Sequence, residues 1–180
     1  MQSTTPRPGA RRAGGRPALA TVPAAPIAVA ELPLSYLAQF VGDAAGARVL
    51  AALRRRGHGA LRTAHGFVIQ HLLGGPRTIG ELAALLGISQ QAVSKTVAEL
   101  VAARYAAAVA TDDRRQRRVA LTRRGRAAVE VGRGARAALE VELRRVLGPR
   151  GFAQAHRALA RLIEHLGAGD AVRQRRVRPT

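Results

Sequence analysis

Apolar positions recur at three- and four-residue steps twice within TIGELAALLGISQQAVSKTVAEL, residues 78–100, first as Ile79, Leu82, Ala83 and Leu86, then as Val93, Val97 and Leu100. The pattern predicts two short amphipathic helices that part at Gly87. Thr78 suits the first N-cap, because its hydroxyl can accept the Glu81 backbone N–H while the Glu81 carboxylate reaches back. Gly87 supplies the left-handed conformation that favours a helix end, and Ser89 caps the next helix two residues later. So short a turn makes the two axes cross steeply. This is the helix-turn-helix arrangement, whose second helix stands proud of the body and fits a major groove.

Helical periodicity also marks the flanks. Leu37, Phe40, Val41, Ala44, Arg48, Val49, Ala52 and Leu53 trace one helix of about twenty residues that begins near Ser35 and stops at Gly57 and Gly59. Leu61 to Leu73 forms another, with Phe67, Ile69, Leu72 and Leu73 apolar, closed by Gly74, Gly75 and Pro76. Residues 105–122, YAAAVATDDRRQRRVALT, hold two β-capable runs around Asp112 and Asp113, which suit a hairpin turn. Val109 on the first strand and Val119 with Leu121 on the second are the expected half-buried face, and Arg114, Arg115, Arg117 and Arg118 the expected projections. Leu139, Leu143 and Val146 stripe a helix after the hairpin, and Phe152, Leu159, Leu162, Ile163 and Leu166 stripe a last one beyond Gly148 and Pro149. Gly132 and Gly134 are costly inside such a helix, about 1 kcal/mol each against Ala, and imply a close approach of backbones or a bend.

The second helix of the central pair carries chemistry on its outward side. At about 100 degrees per residue, Val93, Val97 and Leu100 point one way and Gln91, Lys95 and Ala98 the other. Gln can bond adenine N6/N7, Lys can reach guanine O6/N7, and an alanine methyl can meet a thymine methyl; Ser94 at the margin suits a phosphate. Ser89, Gln90, Gln91, Ser94, Lys95 and Ala98 are therefore the candidate DNA-facing residues of this helix. Alone, such a face also fits an ordinary solvated helix, and an arginine-rich hairpin alone fits a charged loop. A helix-turn-helix followed by an arginine-tipped hairpin, whose guanidinium groups can enter a narrow minor groove or clamp phosphates, is a winged helix.

Charge agrees with that reading. The 180 residues hold 30 Lys+Arg against 11 Asp+Glu, a net charge of +19 that points to a polyanionic partner. Lys95 is the single lysine, so codon bias of a GC-rich genome is a competing source of arginine. Clustering decides against uniform drift: residues 1–30 hold four arginines and no acid, residues 171–180 hold four more, and residues 104–126 hold eight against two aspartates. Residues 1–31, rich in Pro, Gly, Ala and Arg, are expected to form a disordered basic arm, and residues 168–180 a disordered basic tail.

Other classes find little support. The absence of cysteine removes disulfides, thiolate zinc sites and thiol redox sensing. No Gly-rich phosphate loop is present, and the hydroxyl nucleophiles lack a nearby base and acid, so no catalytic residues are assigned and an enzyme is not expected. His65 and His71 are six residues apart and His156 and His165 nine, so neither pair forms the i, i+4 clamp; only His58, in a Gly-flanked turn, leaves a metal sensor open. Neither a metal nor a cofactor is expected, and His65 is read as packing or hydrogen bonding beside Phe67. The run ALATVPAAPIAVA is broken by Pro23 and Pro26 and too short to span a bilayer, and the same prolines weaken it as a signal peptide. A cytoplasmic, nucleoid-associated location with no membrane partner follows as the expectation.

The chain resembles the MarR (multiple antibiotic resistance regulator) transcription factors from about Ser35 to Leu166, through LRTAHGFVIQHL, TIGELAALLGISQQAVSKTVAELVAARY and DDRRQRRVALTRRGR. The resemblance implies that Asp113 and Arg115 are the wing's Asp-x-Arg pair, the carboxylate holding the guanidinium that enters the minor groove. It also implies a dimer built from the terminal helices, and a small aromatic or anionic effector between those helices and the winged domain, where Arg48 or His65 would face the cleft. The chain departs from the family's pattern at the wing entry, where Arg104 and Tyr105-Ala-Ala-Ala replace glycine and charged residues.

The expected fold is mainly α: a winged helix-turn-helix domain with a two-stranded β wing at residues 61–122, and dimerisation helices at 32–60 and 123–167. The unpartnered apolar stripes of the terminal helices argue for the dimer separately from the resemblance, and a two-fold axis would set two recognition helices about one DNA turn, roughly 34 Å, apart. The function read from this is a homodimeric regulator, ligand-responsive and repressing, that binds double-stranded DNA at a pseudo-palindromic operator. The alternative is an architectural protein that coats DNA with little specificity.

Overall fold

The structure, a computed structural model, describes residues 27–109 and 117–176. The arm expected at residues 1–31 lies outside this span except for its last five residues, which include one exposed 3-10 turn, Val29–Glu31. Helix α1 (Leu34–Arg55) leads to α2 (Thr63–Leu72), a short strand β1 (Arg77–Thr78), α3 (Ile79–Leu86), α4 (Gln90–Ala102), strands β2 (Ala106–Val109) and β3 (Arg118–Leu121), then α5 (Arg123–His165) and α6 (Gly169–Arg173).

Local signals acted where the sequence placed them. Thr78 and Glu81 form the reciprocal capping box, Gly87 ends α3 at φ 67°, and the Ser89 hydroxyl accepts the Ala92 N–H. In α5 the helical path breaks at Gly148 (φ 67°, ψ 165°) just before Pro149, as the spacing of the two stripes predicted. Gly132 and Gly134 meet nothing within 4 Å where a Cβ would stand, so within one chain no backbone contact demands them.

Tertiary pairing altered three expectations. The wing sheet has three strands in the order β1-β3-β2, not two, because Arg77 and Thr78 extend into antiparallel register with Val119 and Arg118 before α3 begins. The register also sets Ala106 opposite Leu121 and Val109 opposite Arg118, so Val109 lies on the face away from Val119 and Leu121. The apolar face of β2 comes instead from Ala106, behind the buried Tyr105. The disordered tail expected from residue 168 is corrected for residues 168–176: they fold as α6 and its end, with Gly169 and Ala171 buried.

One buried cluster joins α2, α3, α4 and the sheet, and it extends to Val49 and Leu53 of α1 and to Ala128 and Val129 of α5. Leu82, Leu86, Val93 and Leu100 are fully enclosed. Burying each such side chain contributes about 1.5–3 kcal/mol, which makes this cluster the platform on which α4 stands.

Candidate nucleic-acid interface

Helix α4 presents the polar side that its period predicted. Ser89, Gln90, Gln91, Ser94, Lys95 and Ala98 are all exposed, while Val93, Val97 and Leu100 are buried beneath them. Among the described residues no carboxylate pairs with Lys95, so its ammonium is available to an outside acceptor. The other side of α4 is tied to α2. The Glu99 carboxylate accepts from the Arg62 guanidinium and lies 2.9 Å from His65 Nε2, while His65 Nδ1 accepts the Arg62 backbone N–H at 3.2 Å. Hydrogen bonds from His65 and Arg62 hold the Glu99 carboxyl below its ordinary pKa. Sequence reading assigned His65 to packing or hydrogen bonding, and the ring is buried. It did not foresee Glu99, which is 34 residues away along the chain.

The wing is described at its base only. Asp113, Arg114 and Arg115, the expected Asp-x-Arg tip, lie outside the described residues, and Arg117 is exposed. Arg118 is not a projection. Its Nη2 lies 3.3 Å from Glu81 Oε1 and its Nη1 donates to the Pro76 carbonyl at 3.3 Å, which stitches β3 to the start of α3. The Glu81 carboxyl is lowered first by the Thr78 backbone hydrogen bond, then by the charges of Arg118 and Arg77. One carboxylate thus serves both the α3 cap and the wing.

The entry to the wing is built around Tyr105, fully buried although relatives were expected to differ there. Arg104 takes φ 62°, a left-handed conformation usually left to glycine, and lets the Tyr105 N–H return to the Leu100 carbonyl at 2.8 Å. Thr122 Oγ1 donates to the Arg104 carbonyl at 2.7 Å and accepts the Gly125 N–H at 3.1 Å, capping α5. A Cβ at Gly125 would collide with the Tyr105 carbonyl oxygen, so strand and helix can approach only with glycine there. Arg124 lies over the Tyr105 ring at 4.9 Å, and His58 is 5.7 Å from it. Burial and the Arg124 charge lower the His58 pKa. No group of three candidate metal ligands occurs among the described residues. The signal for this arrangement was present as Thr-x-x-Gly at residues 122–125.

A cavity of about 160 Å³ opens between α1, α2 and α5, lined by Leu53, Arg62, His65, Ile69, Arg133 and Arg136 among others. His65 therefore faces a cleft. Arg48 does not line it: its guanidinium makes two 2.7 Å bonds to the Glu142 carboxylate and ties α1 to α5.

The platform, the crossed helices and the three-stranded wing match known proteins. Residues 61–118 fit the model of the MarR family. Over these residues the chain is similar to that family. The MarR fold recurs in solved structures, each similar over about three quarters of this chain. RV1404 of Mycobacterium tuberculosis has 25% identity and a TM-score of 0.59, covering 73% of this chain and 88% of its own. The reduced form of E. coli MarR has 21% identity and a TM-score of 0.59, covering 73% and 97%. A mutant of S. aureus MepR bound to an oligodeoxyribonucleotide has 18% identity and a TM-score of 0.54, covering 76% and 99%. No curated protein sequence matches the chain. Among the described residues no helix is long and apolar enough to cross a membrane.

Proposed function

We propose that this protein is a ligand-responsive repressor of the MarR family that binds a pseudo-palindromic operator as a homodimer. The observation that carries the reading is the exposed row Gln91, Ser94, Lys95 and Ala98 on a helix whose opposite side is fully packed. Such a helix can enter a major groove as a rigid body, with side chains that match base edges. Support comes also from MepR, solved on an oligodeoxyribonucleotide. In this reading residues 61–122 read DNA, residues 32–60 and 123–167 pair with a second copy, and Asp113, Arg114, Arg115 and Arg117 form the wing's contacts. An anionic, aromatic effector fits the cleft beside Arg62 and His65, where it would compete with Glu99 for both donors. Arg48 is not assigned to that site.

The test is titration of the full chain against the DNA flanking its own gene and against a scrambled duplex, at fixed salt. Lys95→Ala should cost about 1–3 kcal/mol on the preferred site and little on the scrambled one. Arg115→Ala should nearly abolish operator binding, and Asp113→Ala should weaken it although a negative charge near DNA is removed. If Lys95→Ala loses equally on both duplexes, and Arg115→Ala loses no more than Arg117→Ala, the protein is instead a low-specificity DNA-coating protein.

A further inference from the structure

The last described residues of the chain return to the helix-turn-helix. After α6, Arg175 adopts φ 54°, its N–H bonds the Val172 carbonyl at 3.1 Å, and the Arg176 N–H reaches back to the Ala171 carbonyl at 2.8 Å. This is the hydrogen-bond pattern by which a left-handed residue reverses the chain at a helix end, here with arginine where glycine is usual. The reversal delivers the two arginines to separate anchors. Arg175 Nη1 donates to Gln70 Oε1 at 2.7 Å, and its carbonyl lies 3.3 Å from His71 Nε2, both on α2. The Arg176 stem lies against the turn between α3 and α4, with Cδ 3.8 Å from where a Gly87 Cβ would stand.

Charge separates these arginines from their neighbour. Arg173 is neutralised by Glu164 at 2.5 Å and Asp170 at 2.8 Å. Among the described residues no carboxylate pairs with Arg175 or Arg176, and the buried Nε of Arg176 has no hydrogen-bond partner. Two uncompensated guanidinium groups are thus held on the helix-turn-helix, the second of them at the turn that leads into Ser89 and Gln90, the end of α4 that would enter DNA first.

We propose that residues 168–176 are a docked strap, and that Arg175 and Arg176 clamp the DNA phosphates at the edge of the groove read by α4. This rests on the DNA-binding reading above. A free basic arm would give charge without position; the strap gives both, from outside the matched residues 61–118. Phosphate contacts set register and affinity but carry no sequence information, so the clamp should strengthen binding to every duplex alike.

The experiment measures full-length protein binding to a preferred and a scrambled duplex across a salt series. The double variant Arg175→Ala with Arg176→Ala should flatten the log–log salt slope by about 0.9 for each phosphate no longer neutralised, about 1.8 in all, on both duplexes, leaving their affinity ratio unchanged. Arg175→Lys with Arg176→Lys should restore most of the slope. Ala171→Gln, which keeps every arginine but cannot be buried where Ala171 sits, should flatten it as the alanine pair does. An unchanged slope in the alanine pair, or tighter binding, overturns the clamp. An unchanged slope in Ala171→Gln overturns the docking and makes the tail a free arm. Wild-type protein that binds neither duplex at any salt overturns the DNA-binding reading itself, and the strap with it.

Discussion

The helix-turn-helix half and the long-helix half of this chain treat their apolar residues oppositely. In the first, Leu82, Leu86, Val93, Leu100 and Tyr105 are 0% exposed. In the second, Val141, Val146 and Leu166 are 70% exposed or more, and Tyr36, Phe40 and Val41 at the start of α1 exceed half. Both halves have the same helical periodicity in sequence, so patterning alone does not separate them. The difference is that α3, α4 and the sheet close on one another, whereas α1 and α5 have only each other along part of their length. In the proposed dimer a second copy would cover the apolar stripes left open on both terminal helices.

The largest effect expected of this contrast is on stability. Leu86→Ala should cost about 2–5 kcal/mol, because the enclosed site cannot collapse onto the cavity. Val146→Ala should change little under dilute conditions, and thermal unfolding followed at two protein concentrations separates the cases. Equal losses at every concentration would mean that the exposed stripe is already packed within one chain. Next in size is assembly. Val146→Asp with Leu159→Asp should shift the sedimenting species from dimer to monomer while far-ultraviolet dichroism keeps its helical shape; a dimer that survives both charges would place the interface elsewhere.

The smallest effect concerns the link between α2 and α4, where Arg62 and His65 hold Glu99. The Glu99 pKa is lowered in the folded chain, so its stabilisation is complete above the ordinary carboxylate pKa and is lost as pH falls through the lowered value. The stability gap between wild type and Glu99→Gln should therefore narrow as pH drops below about 4, and a constant gap would mean that the neutral side chain makes the same bonds.

Helix α4, its cap and that of α3, and the break at Gly148 were legible because each depends on residues a few positions apart. Thr78 and Glu81 meet across three residues, Gly87 ends α3 by its own backbone, and the buried side of α4 is set by a 3.6-residue period. The wing was legible as a hairpin but not in its pairing. A one-residue change of register turns a side chain to the other face, and nothing local to Val109 says that it stands opposite Arg118 and not Val119.

What the sequence determined by itself was thus the set of helices, the outward chemistry of α4 and the concentration of arginine around the wing and termini. Tertiary structure alone decided what the charges do. Arg118 is drawn to Glu81 because β1 pairs with β3, Arg48 is bound to Glu142 across 94 residues, and Arg175 reaches Gln70 across 105. A guanidinium carries the same charge wherever it stands. Whether that charge is matched by a carboxylate or held out for a phosphate depends on which distant element the fold brings within about 3 Å of it, and no local pattern encodes that distance.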